Sequence, residues 1–558
     1  MPTEIKSSSF LPEIWGGIEC TINRVGNNYR DQLLYSGHYE RPEDITAFAT
    51  LGVSALRYPI LWEKHQSAEN ENIDWAWTEQ QLKKIRIHGI QPIAGLMHHG
   101  SGPLFTDLTD KDFPVKLARY ALRVAEKFPW IEYFTPVNEP LTTARFSGLY
   151  GFWYPHHKNE RSFFRMLLNQ VKATVLAMRS IRAINPDAKL IQTEDLSYTH
   201  STPLLSYQAD YENKRRWLTN DLLCGLVDKK HFFWKYLLKS GISKKELQFF
   251  LDNKCAPDII GFNYYVTSER YIDESLESFP AFTHGGNRLH RYADTEAVRQ
   301  GLSKGLGFLL QEAWDRYRLP IAVTECHLSC TREEQLRWFK EHWVHCCELR
   351  KRGVDIRAIT AWSLLGAYDW NSLLTRENNF YESGIFDLNN KTPRPTALAK
   401  MVRSFVNEGD YNSPLTAIQG WWHHCGHNRS AIKTLTGMKA ETAPVIILGK
   451  TGTLGRAFEK ICNLRSIHYI TLSRQEINIL DEQSIRSIIQ NNKPWAIINA
   501  TGFVAVDDAE INASECYDVN AIAPGLLAKI AGEYGVRFVS FSSDLVFNGD
   551  KASPYVEE

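Results

Sequence analysis

The sequence predicts an α/β protein: a (β/α)8 or TIM barrel followed by a partial Rossmann-type, doubly wound parallel sheet. Short apolar runs alternate with longer amphipathic stretches over roughly the first 400 residues, the pattern of repeated β/α units. Near residue 405 the composition shifts towards Gly, Asn, Ser, His and Pro, and a new strand–turn–helix pattern begins at Val445. The length of 558 residues fits one large and one smaller domain, because single domains average roughly 150 residues.

The apolar runs of the first part are mostly continuous rather than alternating, which is typical of parallel strands covered on both faces. They lie at residues 14–20, 53–60, 90–99, 131–139, 189–195, 258–265, 320–326 and 356–365. Amphipathic stretches such as 113–127 and 162–184 separate them and predict helices. We expect a barrel over residues 1–405, a linker over 406–442 and a truncated Rossmann domain over 443–558.

Charge and composition exclude several classes of protein. The 64 basic and 64 acidic residues cancel, which argues against binding to nucleic acid or a membrane surface by bulk positive charge. Apolar residues make up 43% and charged residues 23%, the composition of a folded globular protein. The N-terminal residues lack the apolar core of a secretory signal, and no run of ~18 apolar residues predicts a membrane helix. We expect a cytoplasmic protein with reduced cysteines, and its oligomeric state stays open.

Two groups of cysteine and histidine resemble metal ligands in composition. One comprises Cys326, His327 and Cys330, and the other is the stretch HHCGH at 423–427. Neither has a matching second half elsewhere in the sequence, so no metal site is predicted.

Two glutamates close predicted barrel strands. Glu139 ends the fourth run and Glu325 ends the seventh, and catalytic residues of such barrels lie at the carboxyl ends of the strands. Paired carboxylates are what glycoside hydrolysis requires: one protonates the leaving oxygen and the other attacks the sugar or activates water. The alternative is that a glutamate at a strand end only caps a loop. For Glu194 and Asp195, at the end of the fifth run, that alternative and a polar contact with substrate are both open.

Residues 10 to 405 resemble glycoside hydrolase family 1, the β-glucosidase-like family, through motifs that follow in the family's order. These are IWGG at 14–17, LRYPILW at 56–62, PIAGLMH at 92–98, TPVNEP at 135–140, DIIGFNYY at 258–265, AWSLL at 361–365 with YDW at 368–370, and GIFD at 384–387 with RP at 394–395. Any one of them is weak, but the ordered series is specific. The resemblance implies a glycosidase that needs no cofactor and acts on a small carbohydrate.

The resemblance also implies roles for single residues. Glu139 would be the general acid/base and Glu325 the nucleophile of a retaining mechanism, with carboxyl groups about 5–5.5 Å apart. Arg57 and Tyr265 would hold Glu325 ionised, because an adjacent cation or hydrogen-bond donor lowers the pKa of a carboxylate. Asn138 would support the reaction and contact the sugar. The predicted substrate-binding residues are His98, Asn23, Glu19, Trp362, Asp369 and Trp370.

The sequence departs from the family where the sugar would be gripped. Asn23, with Glu19 before it, replaces the family's glutamine on the first strand, and Asp369 replaces a longer glutamate. Cys326 stands where the family has asparagine, and His99 where it has tryptophan. These changes predict a substrate other than a plain β-glucoside. The alternative is a barrel that binds sugar without hydrolysing it and serves as a scaffold for the second domain.

The second domain begins with a strand, the glycine-rich turn GKTGTLG at 449–455 and a helix, a context that suits a dinucleotide pyrophosphate. With EINILD at 476–481, INATG at 498–502, VDDAE at 506–510, VN at 519–520 and FSSDLVFNG at 541–549, residues 443–556 resemble dTDP-4-dehydrorhamnose reductase, an extended short-chain dehydrogenase. The implied NAD(P)-binding residues are Gly449, Thr451, Gly452, Leu454, Gly455, Asp481, Asn499, Ala500 and Ser543.

The second domain lacks part of that family's pattern. Ser543 would partner a Tyr-x-x-x-Lys pair, but Tyr555 has no lysine after it and the substrate-binding half is missing. Hydride transfer needs a proton donor, so we expect no reductase activity from this chain alone. A half sheet also predicts an unpaired strand edge and exposed apolar helix faces.

Overall fold

The computed structural model describes residues 11–69, 72–388, 392–423, 443–465, 467–543, 546–547 and 550–555. They form two compact units, Met1–Gly426 and His427–Glu558, each with its own hydrophobic core. None of the helices in these ranges combines the length and the apolar character that crossing a lipid bilayer requires.

The first unit is built around a closed barrel of parallel strands, and the predicted (β/α)8 fold is confirmed. The strands are β1 (Glu13–Gly17), β2 (Ala55–Pro59), β3 (Gln91–Gly95), β4 (Tyr133–Thr135), β5 (Lys189–Asp195), β6 (Ile259–Tyr264), β7 (Ile321–Cys326) and β8 (Ile356–Ala361). Each pairs with its neighbours in the sequence, and β8 pairs with β1 to close the ring. Their carboxyl ends therefore meet at one face of the barrel.

Apolar residues cover both faces of the barrel strands, which is why the runs are continuous in the sequence. A small layer fills the interior, with Trp15, Ile93 and Ile191 packed among alanines. A much larger core lies between the strands and the surrounding helices. These helices are Asp44–Ala49, Ala76–Ile87, Phe113–Lys127, Glu160–Ile184, Leu306–Tyr317, Arg332–Lys351 and Ala397–Glu408.

Additional elements lie in the loops that follow the barrel strands. A two-stranded sheet, Ile22–Val25 with Asn28–Asp31, follows β1 and carries Asn23. A four-stranded sheet comprises Tyr198–Ser201, Glu269–Asp273, His284–Gly286 and Arg291–Glu296. The insertion between β5 and β6 also forms helices Ser206–Arg215, Leu218–Leu223, Trp234–Lys239 and Lys244–Asp252.

The segment after the last barrel helix packs onto the barrel, where the sequence predicted the start of a linker at residue 406. Trp421 and Trp422 are buried in the core of the first unit. The indole Nε1 of Trp422 donates to Glu341 in the Arg332–Lys351 helix at 3.1 Å. Burial of two indoles outweighs the polar composition of this segment, and the compact units divide only after Gly426.

The second unit is a four-stranded parallel sheet with helices, as predicted. Its strands are β9 (Val445–Leu448), β10 (Tyr469–Leu472), β11 (Ala496–Asn499) and β12 (Arg537–Ser540), in the order β10-β9-β11-β12. The chain changes direction between β9 and β11, the switch point where such sheets bind ligands. The helices are Thr453–Arg465, Glu482–Asn492, Val506–Ile511, Ala513–Tyr517 and Ala523–Glu533.

One edge of this sheet is apolar and open within the described residues. There, β12 pairs with β11 on one side, and Val539 in β12 is 47% exposed. Phe541 after it is 46% exposed, and Val504 in a neighbouring loop is 86% exposed. The exposed apolar side chains agree with the unpaired strand edge that the sequence predicts.

Candidate active site

The two glutamates reach the same face of the barrel from different strands. Glu325 lies within β7, and Glu139 follows β4 after a short turn. The backbone of Glu139 is left-handed, with φ of 44°, and Pro140 starts the next helix immediately after it. Both side chains are buried, with residues 5% and 3% exposed for Glu139 and Glu325.

Glu325 is held by an arginine and a tyrosine. Arg57 from β2 donates from Nη1 to Oε1 of Glu325 at 2.8 Å, and the hydroxyl of Tyr265 donates to Oε2. The same guanidinium lies 4.9 Å from the ring centroid of Trp362. Both oxygens of Glu325 therefore accept hydrogen bonds from fixed donors.

Glu139 has a different environment. The amide of Asn263 in β6 donates from Nδ2 to Oε1 of Glu139 at 2.6 Å. The hydroxyl of Thr324 donates to Oδ1 of Asn263 at 2.7 Å, which fixes the orientation of that amide. His99 approaches the other oxygen, with Nε2 at 3.9 Å from Oε2.

Because their surroundings differ, the two carboxyl groups differ in acidity. Burial, and next the charge of Glu325, raise the pKa of Glu139 well above its ordinary value. Burial also raises the pKa of Glu325, but Arg57 and the hydroxyl of Tyr265 oppose that shift. The proton shared by this pair therefore resides on Glu139, and Glu325 is the group that ionises first.

Asn138 links Arg57 to two histidines. Its Oδ1 accepts from Nη2 of Arg57 and from the hydroxyl of Thr193, each at 2.8 Å. Its Nδ2 must then donate, and it lies 3.3 Å from Nε2 of both His98 and His99. Burial lowers the pKa of His98 well below its ordinary value and that of His99 to about 3, so both rings are neutral.

The predicted sugar contacts surround this network. The Trp362 ring stacks on His98 with centroids 5.8 Å apart, and Arg57, His98, Asn138 and Trp362 line one cavity. The Trp370 ring lies 5.7 Å from that of His99. The indole nitrogen of Trp370 has no hydrogen-bond partner among the described residues.

The residues that differ from the family where the sugar would be gripped, Asn23, Glu19 and Asp369, are called the clamp below, and all three are buried. Asn23 is 0% exposed, and within the described part of the chain neither atom of its amide has a hydrogen-bond partner. Glu19 accepts from the backbone N–H of Thr21 at 2.9 Å, and burial raises its pKa to about 7. Oδ1 of Asp369 accepts from the N–H of Phe380 at 2.8 Å. An unsatisfied buried amide is costly, so Asn23 is suited to a polar ligand.

Three contacts at this site were not predicted. Asn263 belongs to the DIIGFNYY motif, but nothing in a single sequence shows that β6 directs it to Glu139. His99, in the loop after β3, and Thr193, in β5, likewise contact Asn138. Glu194, in contrast, accepts from the hydroxyl of Thr219 and the N–H of Leu141. Both bonds go to Oε1, which favours the loop-capping alternative, whereas Oε2 is buried without a hydrogen-bond partner among the described residues.

The glycine-rich turn of the second unit is tight, and two of its glycines leave no room for a side chain. Gly449 has φ of 96°, and a Cβ there would lie 2.6 Å from the carbonyl oxygen of Ala500. A Cβ on Gly455 would lie 2.1 Å from the carbonyl oxygen of Gly449. Thr451, Gly452 and Leu454 are exposed where the helix begins. A tight glycine turn before a helix N-terminus is the arrangement with which Rossmann-type domains bind a dinucleotide pyrophosphate.

The other predicted cofactor residues differ in burial and in their contacts with the protein. Asn499 is buried at the end of β11, and its Nδ2 donates to the hydroxyl of Ser540 at 3.1 Å. Ser543 is exposed beyond β12. Asp481 caps the helix Glu482–Asn492 by accepting from the N–H groups of Gln483 and Ser484. A structural role therefore accounts for the Asp481 carboxylate.

Comparison with known proteins matches both parts of the chain. The sequence profile of Glycosyl hydrolase family 1 matches residues 21–381, and that of the RmlD substrate binding domain matches 443–558. A 6-phospho-beta-glucosidase of Dickeya chrysanthemi is 22% identical over 64% of this chain and 82% of its own. The family 1 b-glucosidase from Thermotoga maritima has the same barrel fold, with a TM-score of 0.58, 15% identity, and coverage of 72% of this chain and 98% of that one.

The second unit is similar to only part of its relatives. A dTDP-4-dehydrorhamnose reductase of Burkholderia thailandensis is 31% identical over 20% of this chain and 38% of its own length. The chain thus spans about two fifths of the reductases it matches. The family 1 profile, in contrast, covers more than half of the 558 residues, including both buried glutamates. The chain therefore belongs to glycosyl hydrolase family 1, and its barrel is a glycosidase.

Proposed function

We propose that the barrel hydrolyses a β-linked glycoside with retention of configuration, using Glu325 as nucleophile and Glu139 as general acid/base. The observation that carries this proposal is the contrast between two buried carboxyl groups. Arg57 and Tyr265 donate to Glu325, whereas Glu139 accepts from the neutral amide of Asn263. One group is thereby prepared as an anion and the other as an acid, the pair that this reaction needs.

The reaction proceeds in two steps, which are separated by a covalent glycosyl-enzyme intermediate. First, a carboxylate oxygen of Glu325 attacks the anomeric carbon, the bond to the leaving oxygen breaks, and Glu139 gives that oxygen its proton. Then Glu139, now a carboxylate, takes a proton from water, and the water oxygen attacks the anomeric carbon and releases Glu325. The charge on Glu325 disappears in the first step, so the pKa of Glu139 falls between the two steps.

The surrounding residues position the sugar. Trp362 offers an apolar floor for the ring, and His98 and Asn138 face its hydroxyl groups. Asn23 and the indole nitrogen of Trp370 have polar atoms without protein partners in the described residues, which suits them to further hydroxyls. The changed clamp supports a glycone that differs from glucose in how its hydroxyls are arranged.

We further propose that the glycone carries no phosphate, unlike the substrates that the names of several relatives state. Phosphate recognition needs cations that are free to bind it. Among the residues that line the cavity with His98 and Trp362, the arginine is Arg57, and it already donates to Glu325, Asn138 and the carbonyl of Thr324. The clamp adds the carboxyl groups of Glu19 and Asp369, which disfavour a dianion nearby.

A panel of aryl β-glycosides and their 6-phosphates tests both proposals on the full chain. We expect turnover of an unphosphorylated glycoside, no detectable turnover in Glu325→Gln, and a fall of about 10²–10⁴-fold in Glu139→Gln. Azide should restore turnover in Glu139→Ala and yield a β-glycosyl azide. Turnover confined to the phosphorylated substrates contradicts the second proposal only. A folded barrel without turnover on any glycoside favours the sugar-binding scaffold instead.

For the second unit we propose NAD(P) binding. When bound, this cofactor supplies or accepts a hydride. Gly449, Gly452 and Gly455 would hold its pyrophosphate at the start of the Thr453–Arg465 helix. The support is the left-handed turn at Gly449 and the close packing of Gly455 against that turn, neither of which tolerates a side chain.

A further inference from the structure

A cluster of potential ligands lies outside the sites described above, on the Arg332–Lys351 helix. Glu341, His342 and His345 each offer one ligand atom, and these atoms lie within 4.8 Å of one another. Tetrahedral zinc with bonds of about 2.0–2.1 Å has ligand atoms about 3.3 Å apart, so binding requires these side chains to approach one another by up to about 1.5 Å. We propose that these three side chains bind a divalent transition-metal ion, preferentially zinc.

The burial of His342 is the observation that points to a ligand. The residue is 1% exposed, and neither ring nitrogen has a hydrogen-bond partner among the described residues. Nδ1 of His345 is also without a partner there. Buried polar atoms are nearly always satisfied, so unsatisfied nitrogens on adjacent histidines indicate a missing partner. A metal ion accepts lone pairs from both rings at once.

The surroundings of His342 keep it in the form that binds metal. Its ring packs against Trp338 and Tyr264, with centroids 4.2 and 5.2 Å away. With no hydrogen-bond partner among the described residues, this buried ring has a lone pair free for a metal ion.

Glu341 supplies the anionic ligand and connects the site to the end of the first unit. One of its oxygens lies 2.8 Å from Nε2 of His423, and the indole Nε1 of Trp422 donates to the same oxygen at 3.1 Å. Both residues belong to the turn Trp421–His423. Partners that orient a ligating carboxylate are a common feature of metal sites. A bound ion would fasten this turn to the helix.

The test uses the full chain without a histidine tag, stripped of metal and dialysed against zinc chloride. We expect one zinc ion per chain by elemental analysis, and a rise in the melting temperature of the barrel by about 4 °C. Cobalt should give the visible absorption of a tetrahedral site. His342→Gln should weaken zinc binding by about 100-fold and abolish the cobalt spectrum. Glu341→Gln, which changes a less buried side chain, gives the same test if His342→Gln does not fold.

The control must show that the zinc is bound by this cluster and not by His424 or His427, which lie outside the described residues. The double variant His424→Gln/His427→Gln should keep zinc and the cobalt spectrum. His88→Gln, which removes an exposed histidine elsewhere, should also keep both. Zinc that persists in His342→Gln and Glu341→Gln, or that disappears only in the double variant, overturns the proposal. The absence of binding to the wild-type chain overturns it as well.

Discussion

The hydroxyl of Tyr265 controls the charge of the proposed nucleophile. It donates to Oε2 of Glu325, and this bond lowers the pKa of that carboxyl group. In Tyr265→Phe the pKa of Glu325 should rise, so the acidic limb of the profile of kcat/KM against pH moves to higher pH. We expect kcat/KM near neutrality to fall by about 10- to 100-fold.

The adjacent Tyr264 provides a matched control. Its hydroxyl donates to Glu269 at 2.9 Å rather than to the catalytic pair. Tyr264→Phe should reduce stability and leave the acidic limb in place. An unshifted acidic limb in Tyr265→Phe would show that Arg57 alone fixes the charge of Glu325.

Glu194 makes the stability of the barrel depend on pH. Burial raises its pKa from 4.5 to about 8, so the folded state binds the proton more tightly than the unfolded chain does. The free energy of unfolding therefore falls as the pH rises from 4.5 to about 8. Buried neutral histidines such as His99 act in the opposite direction, but only below their unfolded pKa of about 6.5.

Comparison of the wild type with Glu194→Gln between pH 6.5 and 8.5 isolates this carboxyl group, because histidines and thiols that titrate near these limits contribute equally to both proteins. Glu194→Gln should reduce the loss of stability across this interval by up to about 2 kcal/mol, measured by urea unfolding at both pH values. Glu132→Gln, at an exposed position, should change nothing. An unchanged pH dependence in Glu194→Gln would mean that Glu194 is ionised in the folded protein at neutral pH.

At the scale of elements, the glycine-rich turn depends on the missing side chain of Gly455. A Cβ there would lie 2.1 Å from the carbonyl oxygen of Gly449, so Gly455→Ala must displace the helix or the turn. We expect Gly455→Ala to lose NAD(P) binding, followed by nucleotide fluorescence, and to destabilise the second unit by about 1–3 kcal/mol.

In contrast to Gly455, Gly525 has room for a side chain, so its substitution by alanine is expected to stabilise the second unit. Gly525 lies in the helix Ala523–Glu533, where a Cβ would meet no described atom within 4 Å. Gly525→Ala should stabilise the second unit by about 0.4–1 kcal/mol and leave nucleotide binding unchanged. Equal affinity for nucleotide in Gly455→Ala and the wild type would remove the support for the proposed pyrophosphate site.

The elements that the sequence predicts well are those with a strong local signal. All eight barrel strands follow from continuous apolar runs, because both of their faces are buried. The short strands around Asn23 carry polar residues and have no such signal. The burial of Trp421 and the contact from Asn263 to Glu139 depend on residues far apart in the chain, which composition and periodicity do not show.

At the scale of the whole molecule, separate cores predict separate unfolding. The largest core of the first unit lies between the barrel strands and the helices, and the second unit has its own apolar clusters, the larger of which includes Ile446, Leu448 and Ile497. We expect two calorimetric transitions, of which a tightly bound sugar analogue raises only the transition that belongs to the barrel. A single transition shifted as a whole by the analogue would show that the two units unfold together.

The thiols near the catalytic pair have a consequence for inhibitor chemistry. Cys20 lines the cavity beside His98, and Cys326 directly follows Glu325. Burial raises the pKa of both thiols well above the ordinary value, so both stay protonated at neutral pH. Only thiolates react readily with soft electrophiles such as maleimides. A covalent probe for this enzyme therefore needs a warhead that esterifies carboxylates, such as an epoxide or aziridine mounted on a sugar-like ring.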